Sequence, residues 1–237
     1  MKHLGHRVFG KSVANRDIEV FRYGTGQLSI LLIGGVHGDE TEGTFFVNKF
    51  RTELEKGKID LPEGITLHIC PQANPDGCAD NRRTNHRNVD LNRNLPTKDW
   101  TGAFTNVRFY PGPHAGSEPE NQAILGMIAE CMPSVIFSLH SYENPMVNFN
   151  GDSEDLGQAM ARANGLPAKG DIGYPTPGSL GTYAGWERNI PTITLEILRG
   201  QAHEQVWSAH LEGMNVGLSY YLTHKSPPRK GRSCTTN

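Results

Sequence analysis

Short apolar runs alternate along this chain with longer segments whose apolar residues recur at helical spacing. The short runs are rich in β-branched residues, as expected of strands covered on both faces. They lie at 28–33 (LSILLI), 65–70 (ITLHIC), 135–139 (VIFSL) and 190–198 (IPTITLEIL). The helical segments lie at 41–56, 117–132, 155–164, 179–189 and 202–222. This alternation predicts an α/β fold, with a mixed, mostly parallel twisted sheet in a single domain and helices on both faces.

Two of the helical segments carry more detailed patterns. In 41–56, an apolar stripe is formed by Phe45, Phe46, Phe50 and Leu54. Segment 117–132 opens with SEPE, which predicts a capping box between Ser117 and Glu120.

Two long stretches, 71–116 and 142–154, show no clear periodicity. Loops of this length in a compact domain usually carry function. The end of the chain, HKSPPRKGRSCTTN, is basic and contains adjacent prolines. We therefore expect one folded domain at 1–224 and a flexible tail at 225–237.

Composition narrows the class of protein further. The 237 residues include 23 basic and 25 acidic side chains, so no broad field favours nucleic acid or anionic lipid. The N-terminus lacks the apolar core of a secretory signal, and no run approaches the ~18 apolar residues of a membrane span. The 4 cysteines lack paired metal-site spacing. We expect a cytoplasmic protein with reduced thiols and neither a nucleic-acid nor a membrane partner.

Candidate metal ligands follow two of the predicted strands. His37 and Glu40 come directly after LSILLI, and His140 closes VIFSLH. Ligands of open α/β sheets bind at the carboxyl ends of the strands, and two imidazoles with one carboxylate form a known catalytic zinc set. An HxxE motif alone often occurs by chance, and a single histidine at a strand end is more often hydrogen-bonded to backbone.

A candidate general base lies in the last strand. Glu196 is embedded among apolar residues in IPTITLEIL. Burying an unpaired carboxylate is costly, whereas a carboxylate that faces an activated water has a chemical role. The alternative is that the strand register turns Glu196 to solvent.

The segment NRRTNHRNVDLNRNLP follows the turn sequence NPDG in the first long stretch. Its arginines and its one histidine, interleaved with Asn and Asp, indicate an anion site, since guanidinium groups bind carboxylates through two parallel hydrogen bonds. A solvated basic loop is the alternative.

Taken in order, these motifs resemble the zinc carboxypeptidase family (M14 type). The series consists of HGDE, NPDG, RTN, VDLNRN, LHSY, GYPTPGS and TLEI, between residues 37 and 197. Within the family, VNFNGD and DIGYPTPGSLGTYAGWERNIP resemble the branch of cytoplasmic amidases that release meso-diaminopimelate from γ-D-glutamate in murein peptides. The resemblance implies a zinc carboxypeptidase-like fold, one Zn²⁺ per chain, a small murein peptide as substrate, a role in cell-wall peptide recycling, and a possible homodimer.

The resemblance also implies roles for residues that match the family's motifs. His37, Glu40 and His140 would be the zinc ligands, and Asp90 would hydrogen-bond the far nitrogen of His37. Glu196 would be the general base and later the proton donor.

Substrate contacts are implied in the same way. Asn92 and Arg93 would bind the free α-carboxylate of the substrate, and Arg83 would stabilise the oxyanion. Tyr174 would close over the substrate. Tyr142 would line the cleft, and the Ser141–Tyr142 bond is a candidate for a cis peptide.

The sequence departs from the pancreatic-type branch at two positions that bear on specificity. Asp39 stands where that branch has an arginine, and an acidic group there could face an amine of the substrate. Gly181 falls at the base of the specificity pocket and leaves room for a long polar side chain. We also expect Thr194, two residues before Glu196, to line this pocket.

Two alternatives differ in activity. Aspartoacylases and succinylglutamate desuccinylases share HGxE and a DxNR element but cleave N-acyl amino acids. The second alternative is a peptidoglycan-fragment binder that has lost catalysis, which would need neither Glu196 nor Arg83.

Overall fold

The structure, a computed structural model, describes residues 4–224. The strands are β1 (Gly5–Lys11), β2 (Asp17–Tyr23), β3 (Leu28–Ile33), β4 (Ile65–Cys70), β5 (Val135–Tyr142), β6 (Met146–Asn150), β7 (Ala168–Lys169) and β8 (Thr192–Leu198). The helices are α1 (Thr41–Glu55), α2 (Pro75–Asp80), α3 (Pro119–Cys131), α4 (Glu154–Asn164) and α5 (His203–Thr223). Leu91–Arg93 and Val107–Phe109 are 3₁₀ turns, and Gly181–Trp186 is π-helical.

All eight strands belong to one sheet, in the order β1-β2-β4-β3-β5-β8-β6-β7. The central strands β4, β3, β5 and β8 are parallel, whereas β2 and β6 flank them antiparallel. The predicted mixed sheet is confirmed. The carboxyl ends of β3, β5 and β8 therefore lie at the same edge of the sheet, where their following residues can form one site.

Two cores cover the two faces of the sheet. On one face α1, α4 and α5 pack against residues such as Leu32 and Phe137. On the other face α3 packs against Leu31 and Ile136. Neighbouring strand residues thus point into opposite cores, which explains why these strands read as unbroken apolar runs.

Four strands of the sheet were missed by the apolar pattern. The β1–β2 hairpin forms one edge, and β6 and β7 form the other. Strand β2 (DIEVFRY), which lies between β1 and β4, alternates between buried and more exposed residues instead of forming an apolar run. The alternation of Ile18 and Val20 with polar residues could have revealed β2. The predicted loop 142–154 contains β6.

The helix predictions are correct in position but wrong at some ends. Helix α1 matches 41–56, with Phe46, Phe50 and Leu54 buried and Phe45 half-buried against His203. The capping box is wrong, because α3 begins after Glu118 and the Ser117 hydroxyl donates to the Glu118 carboxylate. Glu120 instead accepts hydrogen bonds from the backbone of Val13 and from Asn85. The predicted helix 179–189 is largely the π-helical segment.

The predicted tail, 225–237, lies outside the described residues, and the domain boundary at 224 stays a prediction. Within 4–224, none of the helices is both long enough and apolar enough to cross a membrane.

Candidate active site

The two turns that carry the candidate metal ligands are built by the ends of β3 and β5. After β3 the chain passes through Gly38, where a Cβ would overlap the backbone of Gly77 in α2. Only glycine permits this close approach, which fixes the turn against the long loop. His37 and Glu40 lie on either side of Gly38 in this turn, and Glu40 immediately precedes α1. In β5, His140 lies on the opposite face from Phe137 and Leu139, which are in the helix-covered core.

The three side chains converge. His37 Nδ1 lies 3.0 Å from Glu40 Oε1, and His140 Nδ1 lies 2.8 Å from Glu40 Oε2. The two Nδ1 atoms are 3.1 Å apart. All three residues are buried, and their ligand atoms lie within 4.8 Å of one another.

The chemistry of these atoms fits a cation. His37 Nε2 lies 2.9 Å from Asp90 Oδ1, and an ionised carboxylate can only accept, so the ring proton is on Nε2. His140 Nε2 lies 3.1 Å from Ser138 Oγ, which can accept in the same way. Both Nδ1 lone pairs then point toward the Glu40 carboxylate. Three electron-pair donors that face one another are the arrangement expected of zinc ligands with one position left for water or substrate.

Two arginines surround the Glu40 carboxylate from different elements. Arg83, from the loop after α2, donates to Glu40 Oε1 at 3.1 Å and to Asp90 Oδ2 at 2.9 Å. Arg199, just after β8, donates to the same Glu40 oxygen at 3.1 Å and to the carbonyl of Ser141. Burial by itself would raise the pKa of Asp90, but the charges of Arg83 and His37 hold it well below its usual range. Asp90 therefore stays ionised and fixes the ring of His37.

The register of β8 places Glu196 directly beside His140. Ile193, Leu195 and Ile197 point into the helix-covered core, so Glu196 faces the cleft. It is 9% exposed, which excludes the alternative that it is turned to solvent. Burial raises the pKa of Glu196 to about 7, while His140 opposes this increase and Glu40 adds to it. A carboxyl group that titrates near neutrality can both accept and return a proton.

Arg93 and Asn92 lie in the wall of the same cleft. Arg93 is 6% exposed, and the ring of Phe109 lies 5.3 Å from the guanidinium of Arg83 and 5.5 Å from that of Arg93. Asn92 accepts a hydrogen bond from the backbone of Leu180 at 2.8 Å. That bond uses the carboxamide oxygen of Asn92, and the nitrogen of the same amide is the donor that a substrate carboxylate would require.

Near Glu196 the lining of the cleft includes several uncharged polar residues. Thr194 pairs with Asn148 of β6 in the register of the sheet, and both line the cleft. A Cβ at Gly181 would lie 2.3 Å from Asn150 Oδ1. Glycine at this position therefore gives the Asn150 amide room beside the pocket. The whole cleft measures about 920 Å³.

Tyr174 and Tyr142 stand at the rim, with ring centroids 6.4 Å apart. Tyr174 is 39% exposed, and its closure over the substrate stays a prediction. The prediction of a cis Ser141–Tyr142 bond is wrong, since every peptide bond among residues 4–224 is trans.

Asp39 lines the cleft, but cations already surround it. Its Oδ2 accepts from Arg108 at 2.9 Å and lies 3.6 Å from Arg199. Contact of Asp39 with a substrate amine stays a prediction, and these two arginines would compete for the same carboxylate.

Comparison with known proteins agrees with this geometry. The sequence profile of the zinc carboxypeptidase family matches residues 4–207. The chain belongs to the zinc carboxypeptidase family. It is thus a hydrolytic metallopeptidase, and Zn²⁺ is the metal that His37, Glu40 and His140 would hold.

Several relatives within the family are amidases. Murein peptide amidase A of Escherichia coli K12 is 32% identical over 178 residues, or 70% of this chain and 69% of that protein. The Vibrio campbellii enzyme of the same name is 30% identical over 203 residues, or 80% of this chain and 77% of that protein.

Solved structures confirm the fold. The murein-tripeptide amidase of Escherichia coli O157 has a TM-score of 0.78 at 27% identity, covering 92% of this chain and 93% of that one. Carboxypeptidase A of Helicoverpa armigera has a TM-score of 0.75 at 21% identity, covering 90% of this chain and 67% of that one. The latter likeness concerns the fold alone.

Sequence analysis did not single out four residues that the structure brings to the site. Arg108 and Arg199 follow no motif, since an arginine in a loop or after a strand is usually solvated. Asn148 and Asn150 alternate with apolar residues in VNFN, and this spacing of two places both amides on one face of a strand.

The Asp90–His37 contact gives a testable prediction. Asp90→Asn is expected to weaken zinc binding about tenfold to hundredfold, because the amide no longer fixes the ring proton of His37. Competition with a chromophoric chelator measures the zinc Kd. An unchanged Kd would show that Asp90 serves only to pair Arg83.

Proposed function

We propose that this enzyme hydrolyses the amide between γ-D-glutamate and meso-diaminopimelate in murein tripeptide, during recycling of cell-wall peptides. The cytoplasm is the compartment in which we place the reaction. Relatives named for this substrate class support the assignment. A homodimer stays a prediction.

The observation that carries the proposal is the set of uncharged polar residues that line the cleft near Glu196. These are Asn148, Asn150 and Thr194, and Gly181 lies against Asn150. The distal end of diaminopimelate carries one ammonium and one carboxylate and is neutral overall. Uncharged donors and acceptors can satisfy both groups, whereas a single charged residue at the pocket base would favour a side chain of opposite charge.

Each group of residues in the cleft has a separate role in the proposed reaction. Arg93 and Asn92 would hold the α-carboxylate next to the scissile amide, which orients the substrate. His37, Glu40 and His140 would hold a zinc ion, whose Lewis acidity would favour attack of water on the carbonyl. Glu196 accepts a proton from that water and delivers it to the leaving amine. Arg83 donates to the carbonyl oxygen as negative charge develops on it.

The test is turnover by purified protein of known metal content. L-Ala-γ-D-Glu-meso-diaminopimelate is expected to release free diaminopimelate in proportion to bound zinc, and a chelator should abolish the reaction. N-acetylaspartate and succinylglutamate serve as comparison substrates. Faster hydrolysis of these N-acyl amino acids would replace the proposal with the deacylase alternative. Tripeptide binding without product release, by protein with a full complement of zinc, would refute the hydrolysis proposed here.

A further inference from the structure

A second groove opens from the active-site cleft on the far side of Arg83. It measures about 630 Å³ and shares Arg83 and Arg108 with the cleft. Its own walls include Phe104, Val107 and Tyr110. Val107 is 78% exposed and Phe104 46% exposed, which is unusual for large apolar side chains. The groove is therefore partly apolar, open, and adjacent to the active-site cleft, with which it shares two lining residues.

The charges of the groove are all of one sign. Arg83, Arg87 and Arg108 line it, and none of its lining residues is acidic. Each arginine is also paired with a carboxylate outside the groove: Arg83 with Glu40 and Asp90, Arg87 with Glu118, and Arg108 with Asp39. An occupant of complementary chemistry carries a negative charge and some apolar surface.

The position of the groove relative to the candidate zinc ligands indicates which part of the substrate enters it. The leaving residue would occupy the pocket at Thr194 and Gly181. The two substituents of a scissile carbonyl point away from each other, so the acyl part must leave the zinc ligands in another direction. Arg83, which contacts Glu40, lies at the boundary between cleft and groove. The groove therefore lies where an acyl part that passes Arg83 would go.

Arg108 is held at this junction by Asp39. Arg108 Nη2 donates to Asp39 Oδ2 at 2.9 Å, and Asp39 directly precedes the ligand Glu40 in sequence. The Arg108 backbone is fixed in turn by the Asn106 side chain, 2.9 Å away. The Arg108 side chain remains 44% exposed, so its other guanidinium hydrogens can meet a ligand. Asp39 thus holds the Arg108 guanidinium next to the residue that precedes the candidate zinc ligand Glu40.

This inference rests on the function proposed above. In a γ-linked D-glutamyl residue, the α-carboxylate is free, and it lies on the acyl side of the scissile bond. We propose that the groove is the acyl-side subsite and that Arg108, positioned by Asp39, binds the free α-carboxylate of the γ-linked D-glutamate. The methyl group of the preceding L-alanine then lies against Val107 and Phe104.

Two peptides and one variant test the subsite. The tripeptide is compared with an analogue in which the D-glutamate α-carboxylate is a carboxamide of nearly the same shape. Wild-type kcat/KM is expected to be about tenfold higher for the carboxylate, the effect of one charge-assisted hydrogen bond at a half-exposed site. Arg108→Gln should lower kcat/KM for the carboxylate peptide to the value for the amide and leave the amide peptide unchanged.

Matched variants separate charge from structure. Arg108→Lys should recover part of the preference because it keeps the charge. Arg162→Gln, the same change on the exposed side of α4, should behave as wild type. Zinc content and thermal melting of each variant report on folding. The subsite is refuted if wild type has the same kcat/KM for the two peptides, or if Arg108→Gln lowers kcat/KM for both peptides equally. Failure of wild type to cleave either peptide would refute the proposed function itself.

Discussion

Glu196→Gln is expected to lower kcat by about a thousandfold while zinc content and fold remain as in wild type. Glutamine has nearly the same shape but cannot accept the proton of the attacking water. Glu196 neighbours His140 in the sheet and makes no ladder contact through its side chain, so the strand should form normally. Single-turnover release of diaminopimelate, with metal analysis of the same sample, measures both parts of the prediction.

Glu143→Gln provides the control. Glu143 lies at the exposed rim of the same cleft, and its loss should leave turnover close to wild type. Substantial activity in Glu196→Gln would remove Glu196 from its role as base. Loss of zinc from that variant would instead indicate that Glu196 supports the metal.

Arg83→Gln is expected to lower kcat by about a hundredfold or more, with a smaller change in KM, because the guanidinium meets charge that develops only in the transition state. Arg83 also pairs with Glu40 and Asp90, so the variant is assayed at saturating zinc and its zinc content is determined. Steady-state kinetics on the tripeptide separate kcat from KM.

Arg83→Lys should give an intermediate kcat. Lysine restores a positive charge, but it cannot span two carboxylates as the planar guanidinium does. If KM rose in Arg83→Gln while kcat stayed constant, Arg83 would bind the ground state of the substrate rather than stabilise the oxyanion.

The central strands and the functional residues at their ends were predictable because these strands are covered on both faces. Such strands read as continuous apolar runs, and the residues that end them stand out by polarity. Thus His37, Glu40, His140 and Glu196 could be nominated without coordinates. Strand β6 could not be recognised in this way, because its polar residues Asn148 and Asn150 interrupt the apolar pattern and line the cleft.

For the long loop 71–116 the sequence predicted a function but no structure. Its conformation depends on partners far away in sequence: the buried Asp76 accepts hydrogen bonds from Ser12, Ala14 and Arg16. Contacts across sixty or more positions in sequence leave no local periodicity. The same reason explains why the capping box failed: Glu120 meets Val13 and Asn85 rather than Ser117.

The sequence by itself determined the α/β class, the family, and the identity of the residues that would hold zinc and move a proton, since motif order and apolar periodicity are local properties of the chain. Tertiary structure alone decided how charges pair around them. It showed that Asp39 is neutralised by Arg108 and Arg199. It also showed that a cationic groove adjoins Arg83. Ion pairs between separate loops depend on distances in space, and linear spacing does not encode those distances.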